Sequence, residues 1–434
     1  MSPVRRLGRA IGRTPLLAGL PREVAVLTAV AFCVALGFGI LAPAIPVFAR
    51  TFGVSAFEAS AVISVFALVR FITSPFAGAL VNRFGERLVL ATGVSIVAVS
   101  SAAAGLAQDF AHLLVLRGVG GLGSSMFTVA AMALLLRVVS DDQRGRASSA
   151  YQGGFLLGGV AGPAVGGLVV AWSIRAPFFV YAGALLAGAI IALVFLAGAH
   201  LRKREEQASH GQAGRLEELR EALRSGAYRA AITVNLVTGF VFFGLRSAMI
   251  PLFVVEGLGR GASFTGIALL IAAIVQAVLL LPAGRLADTR GRRPAMLIGT
   301  IGLAIGMGIL TLSDVAQNGL GTASLIPPAV FLLAMAVQGV SSAFLGSAPT
   351  ATVGDIMGGR RGGIVVATYQ MMADFGAIIG PLIAGLLVDA FDFDIAFVAA
   401  TALAVATVIV VWTMPETLGR RPATAAQPRP EENA

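Results

Sequence analysis

Gly78-Ala79-Leu80-Val81-Asn82-Arg83-Phe84-Gly85-Glu86-Arg87 returns later in the chain as Gly284-Arg285-Leu286-Ala287-Asp288-Thr289-Arg290-Gly291-Arg292-Arg293. The copies lie 206 residues apart in a chain of 434, and each joins the end of one long apolar segment to the start of the next. Gly85 and Gly291 permit a tight backbone reversal between two helices. Gly78 and Gly284 are expected to let a helix end approach its neighbour closely. The position held by Asp288, and by uncharged Asn82 in the first copy, suits a helix cap or an arginine partner. Arg83, Arg87, Arg292 and Arg293 make both loops basic. A single loop of this kind is a weak signal. Two at matching places imply a chain built from two related halves.

Composition says what surrounds those halves. Hydrophobic residues make up 57% and charged residues 12%, with a mean hydropathy of +0.87. The charged share is about half that of an ordinary soluble domain. Twelve apolar stretches have the roughly 20 residues that cross a bilayer. They fall near 24–48, 57–81, 88–107, 110–137, 146–171, 177–199, 229–254, 262–286, 294–313, 326–355, 362–388 and 393–414. The expected fold is an all-α membrane protein, with twelve transmembrane helices in two pseudo-symmetric six-helix bundles.

The net charge of +10 is distributed unevenly. Of 32 Lys and Arg residues, 26 fall in the N-terminus, alternate loops and the C-terminus. This positive-inside bias places both termini in the cytoplasm, in a multi-pass protein of the cytoplasmic (inner) membrane, and it argues against a nucleic-acid partner. The expected organisation is a cytoplasmic N-terminus (1–23), a first bundle (24–199), a cytoplasmic linker (200–228), a second bundle (229–414) and a disordered tail (415–434). In the linker, Leu216, Leu219, Ala222 and Leu223 lie at helical spacing. They predict a short amphipathic helix, either on the membrane surface or solvated. The single cysteine, Cys33, excludes a disulfide within the chain.

The duplication extends further. Tyr151-Gln152, Gly158, Gly162-Pro163 and Gly167 recur as Tyr369-Gln370, Gly376, Gly380-Pro381 and Gly385, at a shift of 218. About 12 extra residues in the second half explain the change from 206 to 218, and the polar stretch Asp314–Pro328 is the expected place. In the fifth span Gly158, Gly162 and Gly166 form one flat stripe. It is either a close packing face or a bendable seam between the halves.

Together these motifs resemble the major facilitator superfamily, over nearly the whole chain. Asp288 matches the acidic position of that family's loop motif, and Asn82 departs from it. Three further matches resemble the twelve-helix drug:proton antiporters. They are Leu36-Gly37 with Gly39, Pro43 and Pro46; Arg117 with Gly121 and Gly123, where Gly120 replaces the usual glutamine; and Gly158, Gly162-Pro163 and Gly166-Gly167, where Ser149 replaces the leading glycine. The resemblance implies alternating access, export driven by the proton gradient with no cofactor, and no enzymatic reaction.

Ionisable groups at membrane depth are functional candidates by default. Arg70 and Asp374 both fall near mid-membrane in their spans. The resemblance sets those two helices against each other, so an ion pair is expected there, serving proton coupling or simply holding the helices together. Arg117 is the third coupling or gating candidate. Arg246, Gln152, Gln370, Gln276, Gln338 and Asn235 are candidates for the substrate path. Three buried arginines against one aspartate favour neutral or anionic amphipathic substrates. The expected partners are the bilayer and a small-molecule substrate, with the monomer as the functional unit. An importer of a sugar or other metabolite is the alternative. An integral membrane enzyme is a more remote one: His112, His200 and His210 are too scattered for a shared metal site.

Overall fold

The structure is a computed structural model that describes residues 19–139, 143–196, 212–321, 323–357 and 363–419. Among these residues, twelve helices are long and apolar enough to cross a membrane. They are Arg22–Arg50, Ala56–Phe84, Glu86–Gly105, Phe110–Val138, Arg146–Trp172, Ala176–Phe195, Gly226–Gly257, Ser263–Thr289, Arg292–Leu320, Ile326–Met357, Ile364–Ala390 and Phe393–Thr413. No strand occurs among the described residues.

Local chemistry sets the helix ends. Ser55 begins the second span with a reciprocal capping box to Glu58. Asp109 caps the fourth span by accepting from the His112 N–H at 2.8 Å. Gly85 and Gly291 make the two motif reversals at φ +84° and +121°, in the left-handed region. The first span breaks at Ala42-Pro43, where proline lacks the N–H needed to continue the ladder. The seventh span widens instead into π-helix over Gly239–Leu245 and Phe253–Gly257.

The halves pack alike. The first span lies on the fifth and sixth, the second on the fourth, and the third on the fourth and sixth. In the second half the seventh lies on the eleventh and twelfth, the eighth on the tenth, and the ninth on the tenth and twelfth. Between the halves the second span meets the eleventh and the eighth meets the fifth.

Three expectations need correction. The extra residues of the second half are not a loop. They lengthen the ninth span, which has 29 residues against 20 in the third, because Asp314 and Gln317 are buried within a continuing helix. The stripe Gly158, Gly162 and Gly166 does not lie between the halves. It packs on the first span of its own bundle, and a Cβ on Gly162 would lie 2.7 Å from the Gly39 Cα. Gly376 and Gly380 likewise press on Phe240 of the seventh span. The third concerns Gly78 and Gly284, at which an added Cβ would meet nothing within 4 Å. The close approach is therefore not made in this state.

The linker helix, Gln212–Arg224, sits against the second bundle. Its Leu219 and Ala222 join Tyr228, Val353, Val365 and Tyr369 in a small apolar cluster, leaving Leu216 and Leu223 exposed. Linker positions 200–211, and tail positions from 420 onward, lie outside the described residues.

Candidate functional site

The two bundles are joined by polar contacts that run from the end remote from the linker to mid-membrane. At the remote surface the Arg50 guanidinium donates to both Glu256 carboxylate oxygens, at 2.7 and 2.9 Å. At the same end, Asp389 of the eleventh span accepts the backbone N–H groups of Ala56 and Phe57, each at 2.8 Å. It thus serves as a cap on the second span supplied by the opposite bundle. Gly167 and Gly266 bring the fifth and eighth spans into backbone contact at the same level, and Gly385 does so against Phe57. Further in, the Ser64 hydroxyl donates to the Ile378 carbonyl at 2.8 Å.

The series ends at Arg70 and Asp374, which form an ion pair across the seam at 36% and 29% side-chain exposure. Towards the linker end, Gln370 and Met371, one turn beyond Asp374, are exposed. Local packing fixes both partners. Gly121 of the fourth span presses on the Phe66 carbonyl and the Arg70 backbone. Gly239 of the π segment abuts Ala373, next to Asp374.

The other candidates divide. Arg117 is 2% exposed, with its guanidinium 4.4 Å from the Phe66 ring centroid and its Nε without a partner. It lies inside the first bundle. Arg246 sits 5.0 Å from the Phe242 ring centroid. Gln152 and Gln370 are exposed and Gln276 is half-buried. Gln338 and Asn235 are turned into helix contacts. Gln338 faces Gly306 and donates to the Met307 sulfur at 3.6 Å, while Asn235 donates to the Tyr369 carbonyl at 2.6 Å. Both are too enclosed to line a path, and the Gln338 Oε1 is buried without a hydrogen-bond partner.

The duplicated loops hold ion pairs that the sequence reading missed. Glu86 pairs with Arg137 at 2.8 Å in the first half, and Arg292 with Asp355 at 2.9 Å in the second. These are the same pair of positions in the two repeats, with the charges exchanged. Arg292 also bonds Asp288. Glu416, just past the last span, accepts the backbone N–H groups of Arg292 and Arg293 at 2.8 and 3.0 Å. The repeat shifts of 206 and 218 would have revealed the swapped pair. Glu416 carried no signal of its own. Asn82 is exposed and engages a partner of its own.

Two six-helix bundles related by an internal repeat, joined at one end and meeting at a mid-membrane ion pair, define a secondary transporter. The chain belongs to the Major Facilitator Superfamily, whose family profile matches residues 27–275 and 236–433. It is therefore a multi-pass membrane transporter for a small-molecule substrate, not an enzyme. Over 367 residues it is 25% identical to Multidrug resistance protein 2 of Bacillus subtilis, covering 82% of this chain and 86% of that one. It is 26% identical to Quinolone resistance protein NorA of Staphylococcus aureus over 230 residues, covering 52% and 56%. Among solved structures, an inward-facing, unoccupied bacterial homologue of the human lysosomal transporter Spinster matches with a TM-score of 0.67 at 17% identity, covering 90% and 94%. A POT family transporter in complex with 5-aminolevulinic acid matches with a TM-score of 0.74 at 12% identity, covering 91% and 96%.

Proposed function

We propose that this protein is a proton-coupled exporter of small amphipathic molecules, working by alternating access in the cytoplasmic membrane as a monomer. Both termini then lie in the cytoplasm, as the basic residues at the linker end favour. The bundles are joined at the opposite, outer end, so this state opens inward. The names of the two resistance relatives support export.

The Arg70–Asp374 pair carries the coupling argument. Among the described residues it is the innermost polar contact between the bundles. Protonating Asp374 leaves a neutral acid opposite a cation and removes the Coulombic part of the contact. The seam then separates more easily. Deprotonation on the opposite side restores the pair. The energy source is the proton gradient, and Arg117 acts as a gating group within the first bundle.

The test is proton-gradient dissipation in inverted vesicles, with a panel of cationic, neutral and anionic amphiphiles. Some compounds should dissipate the gradient with wild type, and Asp374→Asn should abolish the effect. Dissipation at the wild-type rate in Asp374→Asn rules out coupling through this pair. Uptake with the opposite gradient dependence identifies an importer instead.

A further inference from the structure

We infer that the wall of the seventh span holds an anion-docking site centred on Arg246, for substrates that carry a carboxylate, sulfonate or phosphate beside an apolar body. The inference rests on the exporter reading above and narrows its substrate class.

Charge balance at mid-membrane comes first. Arg70 and Asp374 neutralise each other. Arg117 is closed in beneath the Phe66 ring at 2% exposure, out of reach of a ligand. Among the described residues within the spans at this depth, Arg246 is the cation left over. Its guanidinium stacks on Phe242, and among the described residues it has neither a carboxylate partner nor a hydrogen bond. A charge within a membrane span is ordinarily paired or reaches water, since leaving it bare in a low-dielectric region is costly.

The surroundings show which way the group faces. The seventh span is the most enclosed of the twelve: 78% of an apolar 18-residue stretch of it is buried, against 22% for the eighth. The segment that Arg246 opens also meets the first and second spans of the opposite bundle, which sets it beside the space between the halves. Phe243 is 55% exposed, and Arg246 and Ser247, three and four positions on, are half-buried. Residues at those spacings share a helix face. The stripe thus offers an aromatic ring, a guanidinium fork and a hydroxyl side by side. The fork matches the two oxygens of a carboxylate, or two of those on a sulfonate or phosphate. The Phe243 ring suits the apolar body, and Ser247 a second polar contact. The π segment Gly239–Leu245 ends immediately before Arg246, and π-bulges often mark functional positions.

The test is equilibrium binding to the purified full chain at pH 7, with 1-naphthaleneacetate, its neutral amide and 1-naphthylmethylammonium. The acetate should bind about tenfold tighter than the amide, as one charge-assisted contact allows. Arg246→Gln should erase that preference while leaving amide binding unchanged. Arg246→Lys, which keeps the charge and loses the fork, should retain part of it, and serves also if Arg246→Gln fails to fold. Phe243→Ala should weaken acetate and amide alike. Equal binding of acetate and amide, tighter binding of the ammonium, no binding of the acetate, or an unchanged preference in Arg246→Gln or Arg246→Lys would each overturn the site. Binding does not require transport. Selective binding without proton dissipation would count against the exporter reading alone, and dissipation by amide and ammonium without acetate preference against the anion site alone.

Discussion

Arg50 and Glu256 stand at the same place in the two repeats, 206 residues apart, and they bond to each other across the seam. A position near a pseudo-twofold axis meets its own counterpart. Two identical charges there would repel, so duplication followed by divergence to opposite signs produces a latch. At 34% and 32% side-chain exposure, such a pair contributes about 0.2–1 kcal/mol. That is enough to bias two conformations of similar energy without locking either.

The latch predicts an accessibility change. In the orientation proposed above, a cysteine placed at Ser64, in a Cys33→Ser background, should react slowly with a membrane-impermeant thiol reagent applied from outside. Glu256→Gln should speed that reaction a few-fold, in line with the small energy of an exposed pair. Exchanging both charges, Arg50→Glu with Glu256→Arg, should restore the slow rate. An unchanged rate in the single variant would leave outer closure to Asp389 and the glycine contacts.

Gly266 predicts a steric block. A Cβ there would lie 2.8 Å from the Gly167 nitrogen and 3.0 Å from the Pro163 carbonyl oxygen. Backbone cannot move aside as a side chain can. Gly266→Ala should therefore hinder outer closure, raise the labelling of the Ser64 cysteine, and lower transport. Gly284→Ala adds a methyl where nothing lies within 4 Å, so it should leave the thermal stability of this state unchanged.

The exchanged ion pairs predict rescue by exchange. Arg292 is 9% exposed and holds Asp355 and Asp288 together. Asp355→Asn should lower the melting temperature in detergent, because a buried guanidinium loses a charged partner, at a cost of about 1–3 kcal/mol. Swapping the first-half pair, Glu86→Arg with Arg137→Glu, reproduces the polarity of the second half. It should cost less than Glu86→Arg alone.

Glu416 predicts a pH dependence. Burial, the largest single influence, pushes its carboxyl up. The backbone N–H groups of Leu418, Arg292, Arg293 and Thr417 together push it down further, and the balance lies below the ordinary 4.5. A depressed carboxyl pKa contributes stability that is fully present above the unfolded-state value and is lost as pH falls through the folded-state value. Melting temperature should therefore decline as pH drops below about 4.5, and Glu416→Gln should flatten that part of the profile. At neutral pH the same variant removes a charged cap from the ninth span, at a cost of about 0.5–2 kcal/mol. A wild-type profile retained in Glu416→Gln would assign the acid sensitivity to other carboxylates.

Much was legible in the sequence because it is local or periodic. Span length, the loop reversals at Gly85 and Gly291, and the duplication are properties of short stretches and of their recurrence. Lipid imposes them wherever the chain folds, since backbone polar groups in hydrocarbon must be satisfied within the helix. Arg70 and Asp374 were readable as candidates because a charge inside an apolar run stands out against its neighbours. The extra residues of the second half misled, because the polar stretch after Ser313 reads as a loop, whereas Asp314 and Gln317 are buried against neighbouring helices.

The tertiary structure alone decided which faces meet. Gly158 and Gly167 belong to one glycine-rich run, yet the first packs within its bundle and the second across the seam. Gln338 and Gln370 have the same side chain, but one is enclosed and the other open. Helix rotation and the closure of one end of the seam make these distinctions. Both follow from packing among all twelve spans, a non-local balance that no single stretch of residues carries.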